Sequence, residues 1–134
     1  MEVKVRNNGS VFLMAVFVIA LLSVLVMGIA QINTEEIQLM RNQIYAAGAL
    51  ATAEAGLNDA FSELRGDPNW PGPIVGEPFN DGSYDVTVTG TLPNLAIEST
   101  GTSSQGFVGR VEADVTVGSS SPYVIRIDNF RINE

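Results

Sequence analysis

The chain contains no cysteine and no histidine. The first absence excludes a disulfide framework and any thiolate metal site. The second removes the commonest general base and the commonest transition-metal ligand. Carboxylates alone can run acid–base chemistry, but no G-x-S-x-G, Walker loop or EF-hand spacing accompanies them here. The sequence therefore reads as a non-enzyme without a cofactor. Positive charge is also scarce, with seven Lys and Arg against fifteen Asp and Glu and a net charge of −8. Lys4 and Arg6 stand before an apolar block, and the remaining five basic residues are scattered singly from Arg41 onward. Nothing resembles a basic stripe that neutralises phosphates, so nucleic acid is not an expected partner.

The apolar content is concentrated near the N-terminus. Val11 to Ile32 is interrupted only by Ser23, Gly28 and Gln31. As a helix, this stretch spans roughly 33 Å, enough to cross a hydrocarbon core. Lys4 and Arg6 would then stay on the cytoplasmic side. Three readings are open at this point. The run can be a secretory signal peptide cut after Ala30, since Gly28 and Ala30 mimic an A-x-A site. It can be an uncleaved signal anchor. Or Gly9 marks a cleavage site on the cytoplasmic side, so that the apolar helix is kept.

The helical pattern continues past Ala30. There is no proline from Thr34 to Leu64. Ile37, Met40, Ile44, Ala47 and Ala51 recur at three- and four-residue steps, as do Leu50, Ala53, Leu57, Phe61 and Leu64. Arg65-Gly66-Asp67-Pro68 supplies a stop. The spacing predicts one helix from about Ser10 to Leu64, apolar all round in its first half and amphipathic in its second. A signal peptide has no reason to be continuous with such an element.

Here the chain resembles a type IV pilin-like protein. The matching pieces are the basic leader ending in Asn7-Asn8-Gly9, the stretch "SVFLMAVFVIALLSVLVMGIA" and the continuing helix. The segment "RNQIYAAGALATAEAGLNDAFSEL" looks most like the PilX-type minor pilins, and "DGSYDVTVTG" and "IESTGTSSQGFVGRVEADVTV" look like the sheet of such proteins. The resemblance implies a leader over 1–9, cut by a prepilin peptidase between Gly9 and Ser10, with Ser10 then N-methylated. It implies a transmembrane or filament-core helix over 10–32. It implies other pilin subunits as partners, in a homo- or hetero-filament. The precursor would sit in the inner membrane and the product in an extracellular or periplasmic filament. One position departs from the family pattern. Most pilins carry a glutamate at the fifth mature position, whereas this chain has Met14. A carboxylate buried in an apolar bundle is costly unless paired. Its absence removes a cost and an alignment device together, and is typical in the family of subunits near a filament tip and of some minor pilins. The expected function is thus a minor filament subunit, with a major subunit as the alternative. A signal-anchored or secreted binding or sensor domain is the rival of another class.

Further assembly candidates are Gly28 and Glu54. Gly28 is a packing notch or a weak point within the apolar helix. Glu54 lies on "AAGALATAEAG" (46–56), where eight of eleven residues are Ala or Gly. That segment is a close-contact surface, toward another subunit or toward the sheet, or else a spacer rich in good helix formers. Glu54 itself either pairs across subunits or is a solvated carboxylate. Glu35 and Glu36 mark the aqueous edge of the membrane run.

The remainder reads as helix continuation over 33–65, a connecting loop over 66–82 with four prolines and four glycines, and an antiparallel sheet over 83–134. Trp70, the sole tryptophan, is expected as a lid over the sheet edge. Four strands are predicted, at 83–89, 95–100, 107–117 and 123–132, each alternating apolar and polar residues. In the last, the parity switches between Ile127 and Phe130, which calls for a bulge near Asp128-Asn129. "GTSSQG" (101–106) and "NDGSYD" (80–85) read as turns rather than as a phosphate cradle or a cation site. The fold class is therefore α+β, with a long N-terminal helix packed on a sheet of about four strands.

The processing site makes the first prediction. Gly9→Leu is expected to leave a full-length precursor in the membrane, because the peptidase must fit the backbone beside that residue. Normal processing of the variant, read by intact mass, would place the site elsewhere.

Overall fold

The computed structural model describes residues 8–133. One α-helix, α1, spans Asn8–Gly66 and is followed by five strands: β1 (Ile74–Phe79), β2 (Gly82–Thr91), β3 (Asn94–Thr102), β4 (Val108–Val117) and β5 (Ile125–Asn133). All neighbouring strands pair antiparallel in chain order, which makes a five-stranded meander. The chain divides into two compact units, Met1–Arg41 and Asn42–Glu134. The first is helical throughout its described residues. The second contains the remainder of α1 and the whole sheet.

Within the second unit, α1 buries one face. Ala49, Ala53, Leu57, Ala60, Phe61 and Leu64 are buried. They meet alternate residues of the sheet: Tyr84 and Val86 of β2, Leu95 and Ile97 of β3, and Val111, Ala113, Val115 and Val117 of β4. The period of 3.6 on the helix and of 2 on the strands thus converge on a single core. Each fully buried Leu, Ile, Val or Phe contributes about 1.5–3 kcal/mol. The wet face of the sheet carries Arg110 beside Glu98 at 3.1 Å, and Arg131 bridging Glu112 at 3.1 Å and Asp114 at 3.4 Å. These are exposed pairs worth roughly 0–1 kcal/mol each.

The helix lies unusually close to the sheet at one place. Gly101 of β3 and Gly109 of β4 are directly paired. A Cβ on Gly101 would clash with the Ala49 carbonyl oxygen and the Ala53 nitrogen. A Cβ on Gly109 would lie 2.7 Å from the Leu50 nitrogen. One turn further on, the relation is reversed: a Cβ on Gly56 of the helix would meet Ser99 Oγ at 2.5 Å and the Tyr84 ring at 2.6 Å. Backbone therefore packs on backbone, with glycine on the sheet beneath alanine on the helix. The small-residue segment 46–56 is, on this face, a seat for the chain's own sheet.

Several expectations are adjusted. The sheet has five strands, not about four, because β1 forms inside the segment read as connecting loop. β1 is an edge strand, where Pro78 can lack an N–H without breaking a ladder. Its pairing with β2 shifts between Ile74 and Glu77. Gly76 sits there at φ 64° and donates its N–H to Asp85 Oδ1 at 2.8 Å. Phe107 is not in a strand. It lies in the β3–β4 turn and stacks on Tyr45, with ring centroids 5.9 Å apart. The bulge in the last strand is present: Asp114 pairs with Asn129 and Val115 with Ile127, so Asp128 is the extra residue. Asn80 and Asp81 form the β1–β2 turn, with Asn80 at φ 51°. The helix ends where the stop predicted, with the Asp67 N–H returning to the Glu63 carbonyl at 2.8 Å.

The glycine seat yields a paired prediction. Gly101→Ala is expected to destabilise the second unit by about 1–3 kcal/mol, since the helix must lift. Gly48→Ala, which meets nothing within 4 Å, is expected to stabilise it by up to about 1 kcal/mol. Denaturant unfolding of the full chain in detergent checks both, and equal effects would show that the close approach is not a constraint.

Candidate functional site: assembly surfaces

The residues singled out from the sequence do not converge on one pocket. Gly9 and Ser10 lie in the first turn of α1 and are exposed. The leader residues 1–7, with Lys4 and Arg6, lie outside the described residues. Met14 is 72% exposed, and Gly28 has no neighbour within 4 Å of a Cβ placed on it. Glu54 is exposed on α1 and makes no ion pair among the described residues. Glu54 belongs to the second compact unit and the others to the first.

What they share is a surface without a partner. From Val11 to Ile32 the large side chains of α1 are exposed, among them Phe12, Leu13, Phe17, Ile19, Leu25 and Met27. This is the one helix among the described residues long and apolar enough to cross a membrane. Its hydroxyls are satisfied from within: Ser23 donates to the Ile19 carbonyl at 2.8 Å, and Thr34 to the Ala30 carbonyl at 2.9 Å. The helix thus presents neither charge nor an unpaired hydroxyl from Val11 through Ile32, and is a candidate membrane anchor.

Two further apolar surfaces occur in the second unit. At about 100° per residue, Ile44, Ala47 and Ala51 stand on the helix face opposite Ala53. All three are exposed, and Ile44 and Ala51 line a groove with Gly48 and with the chain's own turns at Asn80, Asp81, Ser103 and Ser104. The second surface is on β5. Directly paired residues share a face of the sheet, so Ile127, Phe130 and Ile132 lie on the same side as Val115, Ala113 and Val111. Their partners are buried under α1, yet these three remain 51%, 44% and 47% exposed. The core under the helix takes in β2 to β4 and, from β5, only its first residue Ile125 with the preceding Tyr123. The opposite flank is better closed, since Trp70 and Ile74 pack against the core there. Trp70 packs against the core and lines a cleft at the end of the β2–β3 hairpin together with Val88 and Leu95.

The sequence reading missed the β5 face and the glycine seat. Isolated glycines inside strand patterns signal close backbone approach, and Gly109 within "FVGRVEADVTV" carried that signal. The bare side of β5 carried none, because its alternation is the same whether or not a helix covers it.

Two titratable groups are perturbed. Tyr84 Oη donates to Asp59 Oδ2 at 3.0 Å, tying β2 to α1. Burial, then the bond to Asp59 and its charge, push the phenol up to about 12. The exposed Asp128 carboxyl is lowered by the Thr116 hydroxyl and then by Arg126.

No family model, curated protein or solved structure matches the chain.

The Tyr84 phenol ionises near pH 10.0 when unperturbed, and only near pH 12 in the folded chain. Its contribution to stability is complete below about pH 10 and is lost as the pH rises toward 12. Tyr84→Phe is expected to remove that alkaline slope. Unfolding midpoints measured from pH 8 to about 12 check this, and identical slopes would refute it.

Proposed function

We propose that the chain is a structural, pilin-like subunit. It is made as a prepilin anchored in the inner membrane and cut after Gly9 by a prepilin peptidase. It then enters a type IV pilus or related filament, extracellular or periplasmic. The observation that carries this reading is the use of one helix for two tasks. Residues 11–32 of α1 expose an apolar surface on every side, while the later turns of α1 bury one face on an antiparallel sheet. A subunit that moves from bilayer to filament core needs a helix that is apolar all round, because both environments bury it. At about 25 cal/mol per Å², that burial dominates assembly. Met14 supports a minor place in the filament. It leaves the N-terminal amine without a carboxylate for alignment, and it spares the membrane-embedded state an acidic residue.

The rival readings differ in where the chain is cut. Cleavage after Ala30 would sever α1 in its interior and release a secreted domain. No cleavage would leave an anchored binding or sensor module. Intact mass of the chain purified from membranes that contain a prepilin peptidase separates the three. Loss of residues 1–9 with one added methyl group on Ser10 is the expected result. Loss of residues 1–30, or no loss, would overturn the pilin reading in favour of the corresponding rival.

A further inference from the structure

We propose that the cleft beside Trp70 binds the ring of a neutral sugar, with the indole as its platform and Asn69 and Thr91 as its hydrogen-bonding partners. The inference goes beyond the filament reading and does not depend on where the chain is cut, because the cleft lies wholly within the second compact unit.

The cleft runs between the turn that ends α1 and the tip of the β2–β3 hairpin. Pro68, Asn69, Trp70 and Pro71 form one wall, and Val88 to Leu92 with Leu95 form the other. Its volume is about 410 Å3, within the roughly 300–1,000 Å3 of small-molecule sites. Both walls are set by the fold before any ligand arrives. The Trp70 N–H donates to the Asp67 carbonyl at 3.0 Å, and the Asn69 N–H donates to Asp67 Oδ1 at 2.9 Å. Pro68 and Pro71 stiffen the backbone on either side. The indole packs against the core. On the facing wall, Gly90 at φ 108° turns the end of β2, where a Cβ would lie 2.7 Å from the Asn94 carbonyl oxygen. A site already in shape spares its ligand the cost of ordering it.

The lining says what the ligand is. No charged residue lines this cleft, in a chain whose net charge is −8. The groove at Asp81 and the cleft at Glu98, Glu112 and Asp114 both contain carboxylates. A lining without charge has no field of its own to gather a cation or an anion, so an uncharged ligand fits. The half-buried indole offers a flat apolar surface whose π face is negative. The Asn69 amide and the Thr91 hydroxyl are exposed, and their side chains make no hydrogen bond among the described residues. Together they supply donors and acceptors beside the ring. A pyranose has the matching chemistry, with C–H groups of positive character on one face and hydroxyls around its rim. A proline-rich peptide, the other neutral candidate, docks in grooves lined with aromatic rings, whereas this cleft has one. A lipid tail would leave the amide and the hydroxyl without a role.

Trp70 is the sole tryptophan, so its fluorescence reports on the cleft directly. The full chain is held in a detergent without a sugar headgroup and titrated with maltohexaose, cellohexaose and chitohexaose. A saturable change in emission with at least one of them is expected. Asn69→Ala combined with Thr91→Ala is expected to weaken that binding about tenfold, with the unfolding midpoint unchanged. Thr87→Ala, on the opposite face of the sheet, is expected to leave it as it is. Trp70 is kept throughout, because it also packs against the core. No change with any of the three sugars overturns the proposal, and so does a double variant that binds like the natural chain. A response to a decaproline peptide and not to the sugars overturns it in favour of a peptide groove.

Discussion

The sheet-bearing unit depends on one contact, the helix backbone lying directly on the Gly101–Gly109 pair. A Cβ at either position would push the helix outward, and the layer beyond it would open. At that distance, Ala49 and Ala53 suffice to fill the interface, and Leu57, Phe61 and Leu64 can be reserved for the wider part of the gap. Gly56 and the buried Ala60 keep the later turns close to the sheet as well, and Leu57, Phe61 and Leu64 fill the space to either side. The same contact fixes the lateral position of the helix. Centred on β3 and β4, it reaches Tyr84 on one side, where the phenol grips Asp59, and on the other the core takes in only Ile125 of β5. The exposure of Ile127, Phe130 and Ile132 is thus a consequence of the seat, not a separate feature.

The N-terminal apolar segment obeys a different constraint. Its side chains have no intramolecular neighbours to pack against, and hydrophobic burial must come from elsewhere. A helix in lipid has to satisfy its own backbone and its own hydroxyls. Ser23 and Thr34 do so by bonding back to carbonyls four residues earlier. These bonds are indifferent to what surrounds the helix. That indifference is what a segment needs if it is to exchange a lipid environment for a protein one without refolding.

Much of the architecture was readable because the physical signals are local and periodic. Val111, Ala113, Val115 and Val117 alternate with charged or polar residues, and all four are buried. The parity switch at Ile127 and Phe130 required an extra residue, and Asp128 is that residue. β1 was not readable. Its residues past Ile74 are exposed, so no burial pattern was imprinted on them, and its glycine and proline are those of a loop. Placement on an edge, with Asp85 capturing the Gly76 N–H, is a tertiary event that no window of sequence records. The candidate site fared differently again. Gly9, Ser10, Met14 and Gly28 were chosen by resemblance, and the fold neither gathers them nor gives them partners. The half-exposed apolar residues of β5, Ile127, Phe130 and Ile132, are defined by what fails to cover them, and that is visible only once the helix is placed.

The outward face of α1 also bears on why the segment 46–56 is small on all sides and not only toward the sheet. An alanine and glycine face turned to water would gain nothing from its smallness. A charged or long polar side chain at Ala47 or Ala51 would favour solubility at no cost to the core, since neither residue touches it. Good helix propensity accounts for alanine there, but it does not account for Gly48, which costs the helix about 1 kcal/mol and has open space around it. A glycine kept at that cost on an exposed helix face fits the rule already used on the inner face: small residues mark places where another backbone or a bulky sheet side chain comes close. The inner glycines meet that neighbour within the chain. Gly48 instead opens on a groove that it shares with Ile44 and Ala51 and that the chain's own turns at Asn80, Asp81, Ser103 and Ser104 bound on the other side.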